Sequence, residues 1–185
     1  FVYQSIKDSE LGARDVIFNR GADEVSIRDG PFVVYIGTHG DRGAHRADVI
    51  LPGAAYTEKS ATYVNLEGRV QQTERASFPP GDAREDWAIL RALSDVLGHK
   101  LPFDSLAQLR AAMIAEHRHL GRIDQIEPGD AGSLAALASA GGQPSNAPFE
   151  PAVSDYYLTN PIARASATMA ECSALALGVT RQAAE

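Results

Sequence analysis

His39, Asp41 and His45 stand close together in one Gly-rich loop. Imidazole with carboxylate is a donor set that suits zinc or iron. A closed structural site takes about four ligands, and no second ligand cluster stands nearby in sequence, so no metal ligand is assigned. The loop reads instead as a tight turn in which Gly37, Gly40 and Gly43 supply unusual dihedrals. Asp41, Glu58 and Glu67 are carboxylates of the kind that move protons. Their spacing pairs them with no nucleophile, and no catalytic residue is assigned. His117 and His119 are two apart, so on a helix they point in different directions; they read as a solvated helix end, where the dipole favours imidazolium. A Gly-x-Gly-x-x-Gly or Walker-type phosphate loop is absent from the sequence. Cys172 is the only cysteine. One thiol makes no internal disulfide and cannot hold an iron–sulfur cluster, which takes about four thiolates. On an Ala-rich face it reads as a small buried side chain.

The elements that position these residues follow from pattern. Asp15–Asn19, Phe32–Ile36 and Asp48–Leu51 read as three short strands, and the continuous apolar character of the second predicts a parallel sheet covered on both faces. Asn19-Arg20 interrupts the apolar run of the first, which predicts a shorter strand or a more exposed end. Pro52-Gly53 breaks the third. Thr62–Thr73 is predicted as a hairpin, with Asn65 first and Gly68 fourth in a type I turn. Glu67 and Arg69 flank that turn and are predicted to tie the hairpin to the junction near Pro52–Lys59. Asn65, Glu67, Gly68 and Arg69 are therefore read as structural.

Pro79-Pro80-Gly81 stops the hairpin. Asp82 with Glu85 three residues later fits a capping box. Trp87, Leu90, Leu93 (or Ser94) and Leu97 recur at helical spacing as a buried face, and Gly98 ends the helix. Asp104 or Ser105 caps a second helix with Leu106, Leu109, Met113 and Ile114 inward. Residues 127–153 are rich in Gly, Ala, Ser and Pro and read as a flexible linker, with one or two helical turns over Ser133–Ala140. Asn160-Pro161 starts a last helix, predicted over 161–177, with Ile162, Ala165, Met169, Cys172 and Ala176 on one side. Tyr156 and Tyr157 are predicted to anchor this segment. The resulting organisation is a partial α/β domain over 1–81, a helical pair over 82–126, the linker, and a C-terminal segment over 154–185.

The chain has 185 residues, 44% of them hydrophobic and 22% charged, ordinary for a globular domain. A net charge of -7 argues against nucleic acid and anionic lipid as partners. No apolar run approaches the roughly 20 residues that span a bilayer. The absence of an initial Met and of a signal-peptide pattern predicts a fragment of a longer protein.

The string Ala47-Asp48-Val49-Ile50-Leu51-Pro52, then Glu58-Lys59, then Thr62-x-x-Asn65-x-Glu67-Gly68-Arg69-x-Gln71 resembles the end of the nucleotide-binding part of the molybdopterin oxidoreductase superfamily. Tyr35-Ile36-Gly37-Thr38-His39-Gly40-Asp41, Arg84-Glu85-Asp86-Trp87, Asp155-Tyr156-Tyr157-Leu158-Thr159, Arg164-Ala165-Ser166 and Thr168-Met169-Ala170 are similar to one branch of it, the large iron–sulfur subunit of respiratory complex I, the NADH:quinone oxidoreductase. Residues 121–153 carry no motif of that branch. The resemblance implies an α/β fold, the C-terminal part of a doubly wound, molybdopterin oxidoreductase-like domain with a β-hairpin, followed by an α-helical extension. It implies vestigial pterin-crevice positions at Gly37, Thr38, His39, Asp41, Glu58 and Lys59, and a structural role for Trp87. It implies no cofactor in this fragment, with the iron–sulfur clusters upstream. The implied role is a non-catalytic scaffold supporting electron transfer from NADH to quinone, with the other peripheral-arm subunits as partners. The implied location is the cytoplasmic face of a bacterial inner membrane or the mitochondrial matrix side. The alternative is a fragment of a catalytic molybdopterin-dependent oxidoreductase, similar to formate dehydrogenase, whose chain enters a β-barrel after the first helix. The two part at the fold after Gly98.

Overall fold

The computed structural model describes residues 15–23, 25, 27–126, 128–139, 141–142, 146–148 and 153–178. The helix end expected over Phe1–Arg14, and Gln143-Pro144-Ser145 at the centre of the expected linker, lie outside them. The fold is mixed α/β and divides into two compact units. One is Gly53–Ala147; the other joins the residues up to Pro52 with those from Pro148 onward.

The second unit is built on a three-stranded parallel sheet in the order β1 (Val16–Arg20), β2 (Phe32–Gly37), β3 (Val49–Pro52). Phe18 registers with Val34, and Val34 with Val49. Val33, Val34, Tyr35 and Ile36 of the central strand are buried. With three strands, β1 and β3 are both edges, and Val16, Phe18, Val49 and Ile50 remain partly exposed. The expectation of cover on both faces therefore holds for β2 alone among the described residues. The expectation for Asn19 is corrected. The strand runs through Arg20, and Asn19 is only 5% exposed because its side chain turns back as a cap: Oδ1 accepts the Ala22 N–H at 3.2 Å. Asp48 clamps the start of β2, its Oδ2 accepting the Val33 N–H at 2.7 Å. A one-turn helix, α1 (Arg42–His45), lies between β2 and β3.

The C-terminal segment belongs to the same unit. A 3-10 turn (Tyr156–Leu158) leads to α5 (Pro161–Arg164) and α6 (Ala167–Ala176). The single helix expected over 161–177 is broken. Ser166 takes an extended conformation (φ -89°, ψ 121°) and caps α6, accepting the Met169 N–H on its hydroxyl. Asn160 caps α5 as expected, with Pro161 in its first turn. The expected inward face is not a core: Ile162, Ala165 and Ala176 are exposed, Met169 and Cys172 half-buried, and Ser173 is the buried residue of α6.

In the first unit, β4 (Ala61–Val64) and β5 (Val70–Thr73) form the antiparallel hairpin. Helices α2 (Asp86–Val96) and α3 (Leu106–Glu116) follow, and then α4 (Ala131–Ser139), inside the stretch expected as linker. The capping box at Asp82 is corrected. Gly53 bridges Arg84 in parallel, and the Ala54 N–H donates to the Arg84 carbonyl at 2.8 Å. That pairing holds Arg84 extended, so α2 starts only at Asp86, with Glu85 at the N-cap. Trp87, Leu90, Leu93 and Ser94 are half-buried and Leu97 is exposed, so the apolar stripe is a half-covered face. Gly98 ends α2 with φ +77°. Ser105 caps α3, accepting the Gln108 N–H at 3.2 Å. His117 and His119 are corrected too: α3 ends at Glu116, His117 leaves helical geometry (φ -127°, ψ 80°), and the two rings meet edge to face at 6.2 Å.

Candidate functional site

In parallel α/β sheets, ligands bind beyond the carboxyl ends of the strands. In the sheet-bearing unit that end carries a polar cluster. Asn19 and Tyr35 are register partners on adjacent strands and so share a face. Tyr35 is 1% exposed, and its hydroxyl donates to Asp23 Oδ1 at 3.0 Å. Asp23, 2% exposed, accepts the Gly43 N–H on the same oxygen at 3.1 Å. Two glycines make this possible. The Tyr35 side chain lies along the strand over Gly37, where a Cβ would fall 2.2 Å from the hydroxyl. A Cβ at Gly43 would fall 2.8 Å from Asn19 Nδ2 and 3.0 Å from Asp23 Oδ1. Glycine is required at both for close approach. Of the three glycines expected to supply unusual dihedrals, Gly40 alone does so, at φ +60°.

The electrostatics follow from this packing. Burial, foremost, and then the hydrogen bond to Asp23 push the Tyr35 phenol above its ordinary range. The Asp23 and Asp41 carboxylates push the same way, and the Arg164 guanidinium opposes them. Asp41 follows the carboxyl end of β2 and is the N-cap residue of α1. It makes a charge-assisted hydrogen bond with Arg164 Nε, 123 positions away in sequence. Arg164 Nη1 also donates to the Leu158 carbonyl at 3.0 Å.

The other sequence-derived positions are placed as follows. Thr38 Oγ1 and His39 Nδ1 lie 2.7 Å apart on the surface. Among the described residues, His39, Asp41 and His45 are not part of any group of three or more metal-ligating side chains. In the other unit, Glu58 turns back to accept the Ala55 N–H at 2.9 Å. Lys59 pairs with Asp86 at 2.5 Å, with both side chains largely buried.

The hairpin turn is built as read. The Gly68 N–H closes it on the Asn65 carbonyl at 3.0 Å. Asn65 Oδ1 accepts the N–H groups of Glu67 and Arg69 at 3.0 and 2.9 Å, and Gly68 sits at φ +84°. Glu67 and Arg69 approach to 3.7 Å as an exposed pair. The predicted tie to Pro52–Lys59 is corrected. Arg69 Nη1 donates to the Asp124 carbonyl at 2.9 Å, and β5 continues onto the same segment through the Val70–Ile123 bridge and the Asp124 N–H to Val70 carbonyl bond at 2.7 Å. The neighbourhood of Lys59 is instead reached from beyond the hairpin, where Ser60 Oγ bonds Glu74 and the Ala76 N–H reaches Thr57.

Sequence reasoning passed over Asn19, Asp23 and Tyr35 as site residues, and took Arg164 only as part of a motif. Gly21-Ala22-Asp23, a polar step directly after a strand, was the available signal for Asp23.

Comparison with known proteins gives these arrangements a lineage. Residues 2–96 match the molybdopterin oxidoreductase family, and residues 125–172 match the C-terminal family of the large subunit of NADH-ubiquinone oxidoreductase. The second match covers most of the stretch that had shown no motif, where a composition of small residues conceals it. The chain is 47% identical over 174 residues to the NADH-ubiquinone oxidoreductase 75 kDa subunit of Reclinomonas americana, covering 93% of this chain and 25% of that protein. It is 49% identical over 161 residues to the mitochondrial 78 kDa subunit of Neurospora crassa, covering 83% and 22%. With the mitochondrial 78 kDa subunit of Candida albicans it shares 47% over 169 residues, covering 84% and 23%. The chain thus spans about a quarter of the length of these relatives. It belongs to the molybdopterin oxidoreductase family, in the branch of the large NADH-ubiquinone oxidoreductase subunit.

Proposed function

We propose that this chain is a non-catalytic structural region of the large iron–sulfur subunit in an NADH:ubiquinone oxidoreductase. It supports electron transfer from NADH to quinone without carrying a redox centre itself, and it works beside other subunits of the peripheral arm. The carrying observation is that the polar groups at the carboxyl end of the parallel sheet are engaged with one another. Tyr35 and Gly43 are turned onto Asp23, and Asp41 onto Arg164. A pterin dinucleotide needs free donors for its phosphates. Here the guanidinium is held by a carboxylate, and the tyrosine occupies the space above Gly37. That donor set does not fit the cofactor of the catalytic members, and no chemical step is assigned to it.

The catalytic alternative is disfavoured by the course of the chain after Gly98. Among the described residues that course is helical, through α3 and α4 and then α5 and α6, with Ile123 making an isolated bridge. The iron–sulfur clusters belong upstream in this reading. The same reading puts the chain on the matrix side of the inner membrane, or the cytoplasmic side in a bacterium; among the described residues no helix is long and apolar enough to cross a membrane.

The test is direct. The purified chain, produced in a host that makes pterin cofactor and loads iron–sulfur proteins, is assayed for molybdenum, iron, zinc and released pterin. Substoichiometric amounts of all four are the expected result. One equivalent of any of them overturns the scaffold reading.

A further inference from the structure

Residues 153–178 form a small, internally fastened clip. Asp155 accepts the Tyr157 N–H at 2.9 Å on one oxygen and the Ser173 hydroxyl at 2.5 Å on the other, so the start of the segment is stitched to the middle of α6. Asn160 and Ser166 cap the two short helices from inside the segment. A clip of this kind arrives as a preformed body, and what matters is where it is held.

Tyr156 and Tyr157, the anchors expected from sequence, do not hold it alone. Tyr156 is 83% exposed and packs edge to face on Tyr157 within the segment. The side chain of the clip that reaches the sheet is Arg164. Its Nη1 is fixed on the Leu158 carbonyl, inside the clip, and its Nε points at Asp41, just past β2. Both side chains of the pair are less than one-fifth exposed. The guanidinium is also close enough to oppose the Asp23 and Asp41 carboxylates at the Tyr35 phenol. A partly buried charge-assisted contact between residues so far apart in sequence is strong and geometrically demanding.

We propose that Asp41–Arg164 is a latch that seats the C-terminal clip over the carboxyl end of the parallel sheet, so that the chain itself occupies the place where relatives of this fold receive a ligand. This deepens the scaffold reading and rests on it for the meaning of that place. The latch as a device stands on the geometry alone.

Arg164→Gln keeps length and a donor but removes the charge; Asp41→Asn does the same from the other side. Hydrogen exchange of the whole chain, read by peptide, is the measurement. The expected result is exchange about tenfold or more faster across 153–178 in either variant, the size that follows from losing a hydrogen bond to a charged group. The β2 peptide containing Phe32–Ile36 should keep its protection. The exchanged pair, Asp41→Arg with Arg164→Asp, should restore much of the protection that either single replacement removes. Exchange within twofold of the parent across 153–178 overturns the latch. Equal loss over β2 also overturns it, since the contact would then be a general stability element. Neither outcome bears on cofactor content, so the failure of the latch and the failure of the scaffold reading are separable.

Discussion

Tyr35 shows how much one side chain can be asked to do. Its ring fills the space over Gly37, and its hydroxyl satisfies one oxygen of Asp23, a carboxyl that burial would otherwise leave costly. Tyr35→Phe keeps the ring and removes the donor. Stability at neutral pH should fall by about 1–3 kcal/mol, the cost of an unsatisfied buried acceptor. The alkaline side gives a sharper readout. A phenol raised above its ordinary value of 10.0 stays protonated in the folded chain while the unfolded chain loses its proton. The unfolded state then binds fewer protons, and stability falls as pH rises past that value. Urea unfolding at pH 8 and pH 10.5 should therefore show a steeper alkaline loss in the parent than in the Phe variant. Equal losses would show that the Tyr35 proton is not held by the fold. None of this was legible in the sequence. A tyrosine within an apolar strand reads as core, and only its reach along the strand to Asp23 makes it polar in effect.

At the scale of the element, the hairpin was the most legible part of the chain, because its turn is decided by residues that touch only each other. Asn65 supplies the acceptor for two backbone donors, and Gly68 supplies a backbone that other residues adopt at a cost. Asn65→Ala should cost about 1 kcal/mol and Gly68→Ala about 1–2 kcal/mol in thermal or urea unfolding. Because both act on the same turn, the double variant should lose less than the sum. Full additivity would mean that the two residues support the hairpin independently. Where an element's boundary depends on a distant partner, pattern failed. Asp82-x-x-Glu85 has the residues of a capping box, yet the pairing of Gly53 and Ala54 with Arg84 holds the strand-like course until Glu85. The helix expected over 161–177 has no helix-breaking residue at its centre, and its interruption rests on Ser166 preferring to cap. Helical spacing gave the stripe Trp87, Leu90 and Leu93 correctly as a face, but spacing carries no information on what covers a face, and these residues are half-buried.

On the scale of the whole molecule, the α/β class and the parallel sheet were readable from continuous apolar runs. The grouping of segments was not, because it depends on long-range ties. The hairpin follows the sheet directly in sequence, yet its second strand and Arg69 bond to Ile123 and Asp124, and it is grouped with the helices. Arg69 is thus a cross-brace within its unit. Its guanidinium is about one-third exposed and its pairing with Glu67 is loose at 3.7 Å. Such a pair contributes about 0–1 kcal/mol by itself; the bond to the Asp124 carbonyl is the stronger part. If the chain acts as a scaffold, loss of this brace should appear as lost assembly and leave chemistry alone. In the assembled NADH:ubiquinone oxidoreductase, Arg69→Ala should lower the amount of complex recovered on native gels. Turnover per assembled complex should remain near that of the parent. Arg69→Lys keeps the charge but not the fork of donors and should fall between the two in yield. Normal yield with lost turnover would place chemistry in this hairpin and defeat the scaffold reading, because a brace that touches no reacting atom can alter how many complexes form but not how fast each one works.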